Sequence, residues 1–488
     1  MNAEPVPSER LQRNAIGFVP VLFQSITTIA PAGAAASGLL FATTYAGGAT
    51  PLTIALAMLA CVLVAVSMGE MSRHLPSAGG LYTYVSHGLG PDLGFLTGWG
   101  LIMAYAFVPA LYWAFFGLLV TGQIQAWVSG TPDWLWAPIG CALALLVGVL
   151  AYRGIGISAR AGVIFGLIEM TIFTLLAITL IFQAGSHNTL SVFNPNTGNE
   201  NGFGSVFAGM IYTILAFIGF EAAAPIAEEA DHPRRNIGRA IIGSAVGVGF
   251  FYVVVYYAAS VYVGPNKMTA FININGGDPF RQLGDQVWYG AGILVLLAVL
   301  NSIAASCNGS TNAVSRMTYA LGRVGIFPRQ LAEVHPTYKT PARAVVLLVA
   351  STTVLAVVLG FATSGPLDVF AILGTALTVV FIPIYVLVAI ASGSYFWREQ
   401  RTEFNALKHI VVPLVAVCIF VPVEIASLGI DFAGLGIAPV TGPARNGLWV
   451  GLGWMVVGFA YLMYLRAADS TRIGLLSQVF GDLSDETA

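Results

Sequence analysis

A chain of 488 residues that is 57% hydrophobic and only 9% charged is not a water-soluble globular protein, because such proteins carry roughly 25% charged residues. The formal net charge of −2 says nothing about nucleic acid, but no basic patch able to follow a phosphate backbone is visible, so no nucleic-acid partner is expected. The mean hydropathy of +0.80 points to a lipid bilayer as the main surroundings of the chain.

The polar start MNAEPVPSERLQR precedes an apolar stretch too long for a secretory h-region, so no signal peptide is expected. Apolar stretches then fall at about 15–43, 52–69, 93–121, 134–151, 162–184, 204–227, 239–264, 287–315, 342–363, 366–391, 410–430 and 447–465. Each approaches or exceeds the ~20 residues a helix needs to cross a bilayer, which predicts twelve transmembrane helices in an all-α integral membrane protein. Placing the N-terminus inside leaves only Lys267, Arg281 and Arg445 outside. That bias predicts cytoplasmic N- and C-termini in a cell (plasma or inner) membrane.

The first stretch contains SITTIAPAGAAASG, Ser25 to Gly38, with Pro31 and Gly33 at its centre. Proline lacks an N–H and clashes with the preceding turn, so the span is expected to kink there or to break. A break exposes N–H groups that favour a carboxylate and frees carbonyls that suit an ammonium group. Three carboxylates, Glu169, Glu221 and Glu424, fall within spans. An ionised side chain there costs roughly 2.5–3.5 kcal/mol on insertion scales, so such residues are candidates for function.

Between the second and third stretches runs GEMSRHLPSAGGLYTYVSHGLGPDLGFLTGW, Gly69 to Trp99, whose Pro-Ser-Ala-Gly-Gly core forbids a regular helix. Span four ends in AYRGIGISAR, Ala151 to Arg160; span six reads AFIGFEAAAPIAEEADHPRRNIGRAI, Ala216 to Ile241; span eight leaves through SRMTYALGRVGIFPRQLAEVHPTYKTP, Ser315 to Pro341. In this order the four stretches resemble the amino acid–polyamine–organocation transporter superfamily, specifically its amino acid permeases. The resemblance covers about residues 15 to 391, and the last two spans are generic.

It implies two inverted repeats of five helices, with broken helices 1 and 6, plus two extra helices. The divisions would be a cytoplasmic tail 1–14, repeat one 15–184, repeat two 204–391, helices eleven and twelve 410–465, and a second cytoplasmic tail 466–488. The sequence supports such a pair independently, since Phe217-Ile218-Gly219 interrupts span six as Pro31 and Gly33 interrupt span one. Paired interruptions point to a binding site at the midplane.

The implied function is secondary active amino acid transport by alternating access, as proton-coupled symport or exchange. Polyamine or organocation transport and sodium coupling are the alternatives, and a non-transporting receptor is a distant one. The substrate would meet Thr28, Ile29, Ala30, Ala32, Gly33 and Ala34 at the first break and Leu215, Ala216, Phe217, Ile218 and Gly219 at the second, with Tyr105 and Thr375 shaping the pocket; ordinary helix packing is the competing role. Relatives carry a glycine-rich triplet where this chain has Ala30-Pro31-Ala32-Gly33. The missing N–H of Pro31 would shift carboxylate contacts toward Ala32, Gly33 and Ala34. Arginine-exchanging relatives carry an aromatic gate at the place of Leu215, which disfavours that activity here.

Glu169 takes the place of a membrane lysine in several proton-linked relatives, and Glu221 matches a glutamate implicated in proton sensing. Both are expected to serve proton coupling, against the alternative of structural hydrogen bonds. Glu424, outside the ten-helix core, is expected to serve packing or oligomer contacts. Ser302, Ser306 and Ser310 share one face of span eight; Ser302 and Ser306 form the candidate ion site, with helix packing as the other reading. The run EEADHPRR, Glu228 to Arg235, is either a solvated loop or a set of ion pairs closing an inner gate.

No enzyme is expected: no nucleophile–base pair appears, and Gly-x-Gly-x-x-Ala at Gly154–Ala159 has no preceding strand. No metal and no cofactor is expected; the driving force would be a proton or sodium gradient. The six histidines are read as loop residues without metal-ligand spacing, and the four cysteines as small buried hydrophobes. The partners would be an amino acid and the bilayer, with the chain a monomer or homodimer.

Overall fold

The computed structural model describes residues 16–468 except Ala78, Ile155, Glu200, Glu228, Glu229, 275–277, Val324 and 432–438, and leaves out the side chains of 156–161, Asn273 and Ile274. The described residues form sixteen α-helices: α1 (Phe18–Ile29), α2 (Pro31–Ala46), α3 (Thr50–His74), α4 (Leu81–Leu89), α5 (Pro91–Trp127), α6 (Trp136–Arg153), α7 (Gly156–Ala184), α8 (Phe203–Leu215), α9 (Pro233–Val263), α10 (Met268–Ile274), α11 (Pro279–Val287), α12 (Gly292–Arg323), α13 (Ala342–Ala362), α14 (Pro366–Arg398), α15 (Val412–Ser427) and α16 (Asn446–Ala468). Among the described residues there is no strand, only an isolated parallel bridge between Ile16 and Ala230.

Among the described residues eleven helical segments are long and apolar enough to cross a membrane, and the first, Phe18–His74, has 57 residues with its interruptions included. Straight, it would measure about 85 Å, nearly three times the ~30 Å hydrocarbon core. It doubles back instead at Gly47–Ala49, where Gly47 has φ +54°. Gly48 lies against Pro265, beyond the end of α9, while Gly69 lies against Gly238 near its start. α3 therefore runs antiparallel to α9, and the segment folds back on itself rather than running on as one rod.

The expected stretches differ from the helices mainly at their ends. α12 continues to Arg323 and α14 to Arg398. Hydropathy reports lipid rather than helix, and no proline or glycine pair stops these helices as they become polar. α4, α10 and α11 lie in segments read as connections. The histidines need a correction: His74 closes α3, His87 lies in α4, and His409 lies in a π-helical turn at Leu407–Val411.

Between helices in lipid, small residues permit close approach and replace hydrophobic collapse as the means of association. A Cβ on Gly309 of α12 would stand 2.5 Å from the Thr28 hydroxyl, and one on Gly238 would stand 2.9 Å from the Gly69 carbonyl. These contacts seat α12 against α1 and α9 against α3. The bundle end holding Phe18, His74 and Pro233 is called the Phe18 end below, and the other the far end.

Candidate functional site

The first interruption is where the sequence places it. Ala30 stands between α1 and α2 with φ 60° and ψ 67°, and Pro31 opens α2. A residue before proline is kept out of the right-handed region, and a non-glycine residue in the left-handed one costs roughly 1–2 kcal/mol. The second interruption spans Ala216 to Gly219, after which Phe220–Ile226 forms a 3₁₀ turn containing Pro225. Gly219 has φ +116°, and a Cβ there would lie 2.9 Å from both Ile29 N and Thr28 C. The two breaks touch, and only glycine fits between them.

Side chains hold much of the backbone released at the breaks. Ser306 Oγ donates to the Thr28 carbonyl at 2.6 Å. The Ala32 N–H donates to Ser302 Oγ at 3.1 Å. Ser302 Oγ in turn donates to Glu169 Oε1 at 2.9 Å, and Asn301 Nδ2 to Glu169 Oε2 at 2.8 Å. At the second break Tyr252 donates to the Ala216 carbonyl at 3.1 Å, and Ala223 N–H donates to Ser25 Oγ at 3.0 Å. The expectation of unoccupied groups at the first break is therefore corrected at Thr28 and Ala32, where span-eight serines already meet them.

Glu221 opens the second half of the broken helix. Its Oε1 accepts from Tyr105 at 2.8 Å; its Oε2 accepts from Tyr385 at 3.1 Å and from Gly219 N–H at 3.2 Å. Three donors converging on one buried carboxyl tie α5, α14 and the second break together. Glu424 accepts from Ser427 within its own turn, at 3.2 Å.

Beside the breaks lies an enclosed cavity of about 20 Å³, room for about one water. Of the expected residues, Thr28, Ile29, Ala34, Leu215, Ala216 and Ile218 line it. Ala30, Ala32, Gly33, Tyr105, Phe217, Gly219 and Thr375 do not: Phe217 stands edge-on to Tyr252, and Thr375 lies 3.4 Å from the Tyr212 hydroxyl. Lining residues the sequence reasoning missed are Ser37, Val108, Leu111, Tyr112, Tyr212 and Phe370, while Ser306 was expected only as an ion ligand. Among the described residues, no Asp, Glu, Lys, Arg or His lines this cavity.

On its far side the cavity is capped by aromatic rings. Phe41 stacks on Phe370 with centroids 4.8 Å apart and on Tyr212 at 5.0 Å. Phe115 and Tyr112 support Phe370 at 5.2 and 6.1 Å. Two roomier cavities lie away from the breaks, at the Phe18 end. One, of about 650 Å³, is walled by Tyr152, His335 and Arg343. The other, of about 550 Å³, lies between α3 and α9. In the run Glu228–Arg235, Glu228 and Glu229 lie outside the described residues, and Asp231 approaches His232 at 3.4 Å.

The family model described as amino acid permease matches residues 20–464. The low-affinity putrescine importer PlaP of Escherichia coli is 24% identical over 462 residues, covering 91% of this chain and 97% of that importer. The methylthioribose transporter of Bacillus subtilis is 29% identical over 442 residues, 87% of each chain. The branched-chain amino acid permease BcaP of Lactococcus lactis is 28% identical over 336 residues, 66% of this chain and 69% of that permease.

Proposed function

The chain belongs to the amino acid permease family, and on that premise we propose that it carries a net-neutral amino acid with an apolar side chain by alternating access, driven by protons. One observation supports this most: the cavity where the breaks meet is lined by hydroxyls and apolar side chains, with no charged residue. The start of α2 favours the carboxylate and the carbonyl ends of α1 and α8 favour the ammonium. Ile29, Val108, Leu111, Leu215 and Ile218 offer the remaining surface to an aliphatic side chain. A diamine would bring two charges into a place with no carboxylate, at a desolvation cost of several kcal/mol per ion. Similarity along almost the whole of a putrescine importer favours the second reading, an organic amine.

With both termini in the cytoplasm, the Phe18 end faces inward. Glu169 is the proposed coupling group, because its carboxyl joins α7 and α12 to the start of α2 through Ser302. Sodium held by the Thr28 carbonyl, Ser302 and Ser306 is the competing coupling.

The test is uptake of labelled leucine, lysine and putrescine into proteoliposomes, with proton and sodium gradients imposed separately. Leucine accumulation driven by protons is expected, and Glu169→Gln is expected to keep exchange while losing accumulation. Accumulation driven by sodium alone, or of putrescine alone, would overturn the reading. A protein that moves none of the three would favour the receptor alternative.

A further inference from the structure

At the Phe18 end, the cleft of about 550 Å³ is lined by Gly69, Glu70, Arg73 and His74 of α3 and by Arg234, Arg235, Gly238, Arg239 and Ile242 of α9. On α9 the positions 235, 238, 239 and 242 follow helical spacing and form one face. Its floor is tight, since a Cβ on Gly238 would stand 2.8 Å from Ser72 Oγ and 2.9 Å from the Gly69 carbonyl. The close crossing of two antiparallel helices thus forms a groove with guanidinium groups along its walls.

The charge of this groove is not balanced from within. Glu70, its one carboxylate, already meets Lys408 at 3.0 Å and Arg73 at 3.5 Å. His74 faces Glu403 at 3.3 Å, and Asp231 faces His232. Elsewhere at this end Arg343 pairs with Glu333 and Arg466 with Asp92. Among the described residues no carboxylate is within ion-pair distance of Arg234, Arg235 or Arg239. All three also sit in the first two turns of α9, where the helix dipole disfavours cations and favours an anion. A row of planar forks over a helix start matches phosphate geometry.

We propose that the groove between α3 and α9 binds a phosphate-bearing anion, held by Arg235 and Arg239 with Arg73 and Arg234 at its rim. Such chemistry belongs equally to a soluble phosphate compound and to a phospholipid headgroup. The inference does not depend on the transported solute, and its test uses no transport.

The experiment takes the full-length chain, wild type and Arg235→Gln/Arg239→Gln. Control Arg153→Gln/Arg398→Gln removes equal charge from the same end outside the groove. Inorganic pyrophosphate is titrated calorimetrically into delipidated protein in detergent. Phospholipid retained from nanodiscs of phosphatidylcholine with phosphatidylglycerol is measured by mass spectrometry. The exposed arginines have no carboxylate partner among the described residues, so the variants are expected to fold, checked by monodisperse elution. Loss of two charge-assisted contacts is expected to weaken binding by at least about tenfold, with the control within about twofold. Loss of pyrophosphate binding identifies a soluble ligand; loss of retained phosphatidylglycerol identifies a lipid. Equal weakening in the control, which signals only a diffuse surface potential, or binding of neither probe to the wild type, would overturn the proposal.

Discussion

Replacing Glu221 should separate its role as an acceptor from any role of its charge. Three donors converge on the carboxyl: Tyr105, Tyr385 and the Gly219 N–H. In Glu221→Ala each is left buried without an acceptor, at about 1–3 kcal/mol apiece. The sum, about 3–9 kcal/mol, is comparable with the whole stability of many proteins. Glu221→Gln is milder. Its amide oxygen can stay at the Oε2 place, which receives the Gly219 N–H and the Tyr385 hydroxyl. Its NH₂ group then faces Tyr105, whose hydroxyl can rotate to accept. One rearranged bond costs about 1 kcal/mol. Melting in detergent should therefore rank wild type just above Gln and both far above Ala, and Tyr105→Phe should cost much less in the Ala background than in the wild type. An Ala variant that melts with the wild type, or a Tyr105→Phe effect unchanged between backgrounds, would refute the convergent role of this carboxyl.

Gly219→Ala combines a backbone φ of +116° with a Cβ 2.9 Å from two backbone atoms of the first break; strain and overpacking of about 1–3 kcal/mol each should abolish uptake and lower the melting temperature, and wild-type uptake would contradict the fit. Phe370→Ala removes the ring stacked on Phe41; losing about 1 kcal/mol of ring contact should speed thiol-reagent labelling of Ser37→Cys from the far side by roughly fivefold, and an unchanged rate would show that this layer is not the barrier. Asp278, between spans, accepts from Arg281 N–H through Oδ1 while Oδ2 is enclosed with no donor among the described residues. Burial pushes its pKa up from 3.8 to about 7. The folded state then binds more protons than the unfolded one between about pH 4 and 7, so stability falls as pH rises through that window; Asp278→Asn should flatten this slope in thermal melts, and an unaltered slope would exclude Asp278 as its source.

Much of the fold was legible because its signals are local. Pro31 marks its break by lacking an N–H, and Gly219 marks the other by supplying a φ that other residues resist. The cavity was half legible for a physical reason. Thr28, Ile29, Ala34, Leu215, Ala216 and Ile218 flank the breaks, so locating a break locates them. Val108, Leu111 and Tyr112 lie on α5, which is apolar on every side, and such a helix gives no periodic sign of the face it turns inward. Tyr212 had a signal, since it stands one turn before Leu215 on the same face. The partners of Glu169 did not: Asn301 and Ser302 are more than a hundred residues away, and only packing brings them together.

The Ala32 N–H gives the proposed coupling a definite place. It is the first backbone donor of α2, because Pro31 has none, so an incoming carboxylate would be drawn toward it. It already donates to Ser302, whose hydroxyl donates to Glu169. A solute that takes this N–H must relax that bond, and any change at Glu169 alters the hold of Ser302 on the same N–H. Two ligands that compete for or share one group are thermodynamically linked, and the linkage is reciprocal. The cavity reinforces the point, because about 20 Å³ admits roughly one water and no amino acid. The solute can bind only as the packing around the breaks opens. Toward the far end it meets one layer of stacked rings, whereas toward the Phe18 end it meets the directional bonds from Ser306 to Thr28, from Ala223 to Ser25 and onto Glu221. Parting rings forfeits nondirectional contact, but swinging α1 away strands specific donors and acceptors unless something else satisfies them. On the proposed reading, the solute and the driving proton are what satisfy them.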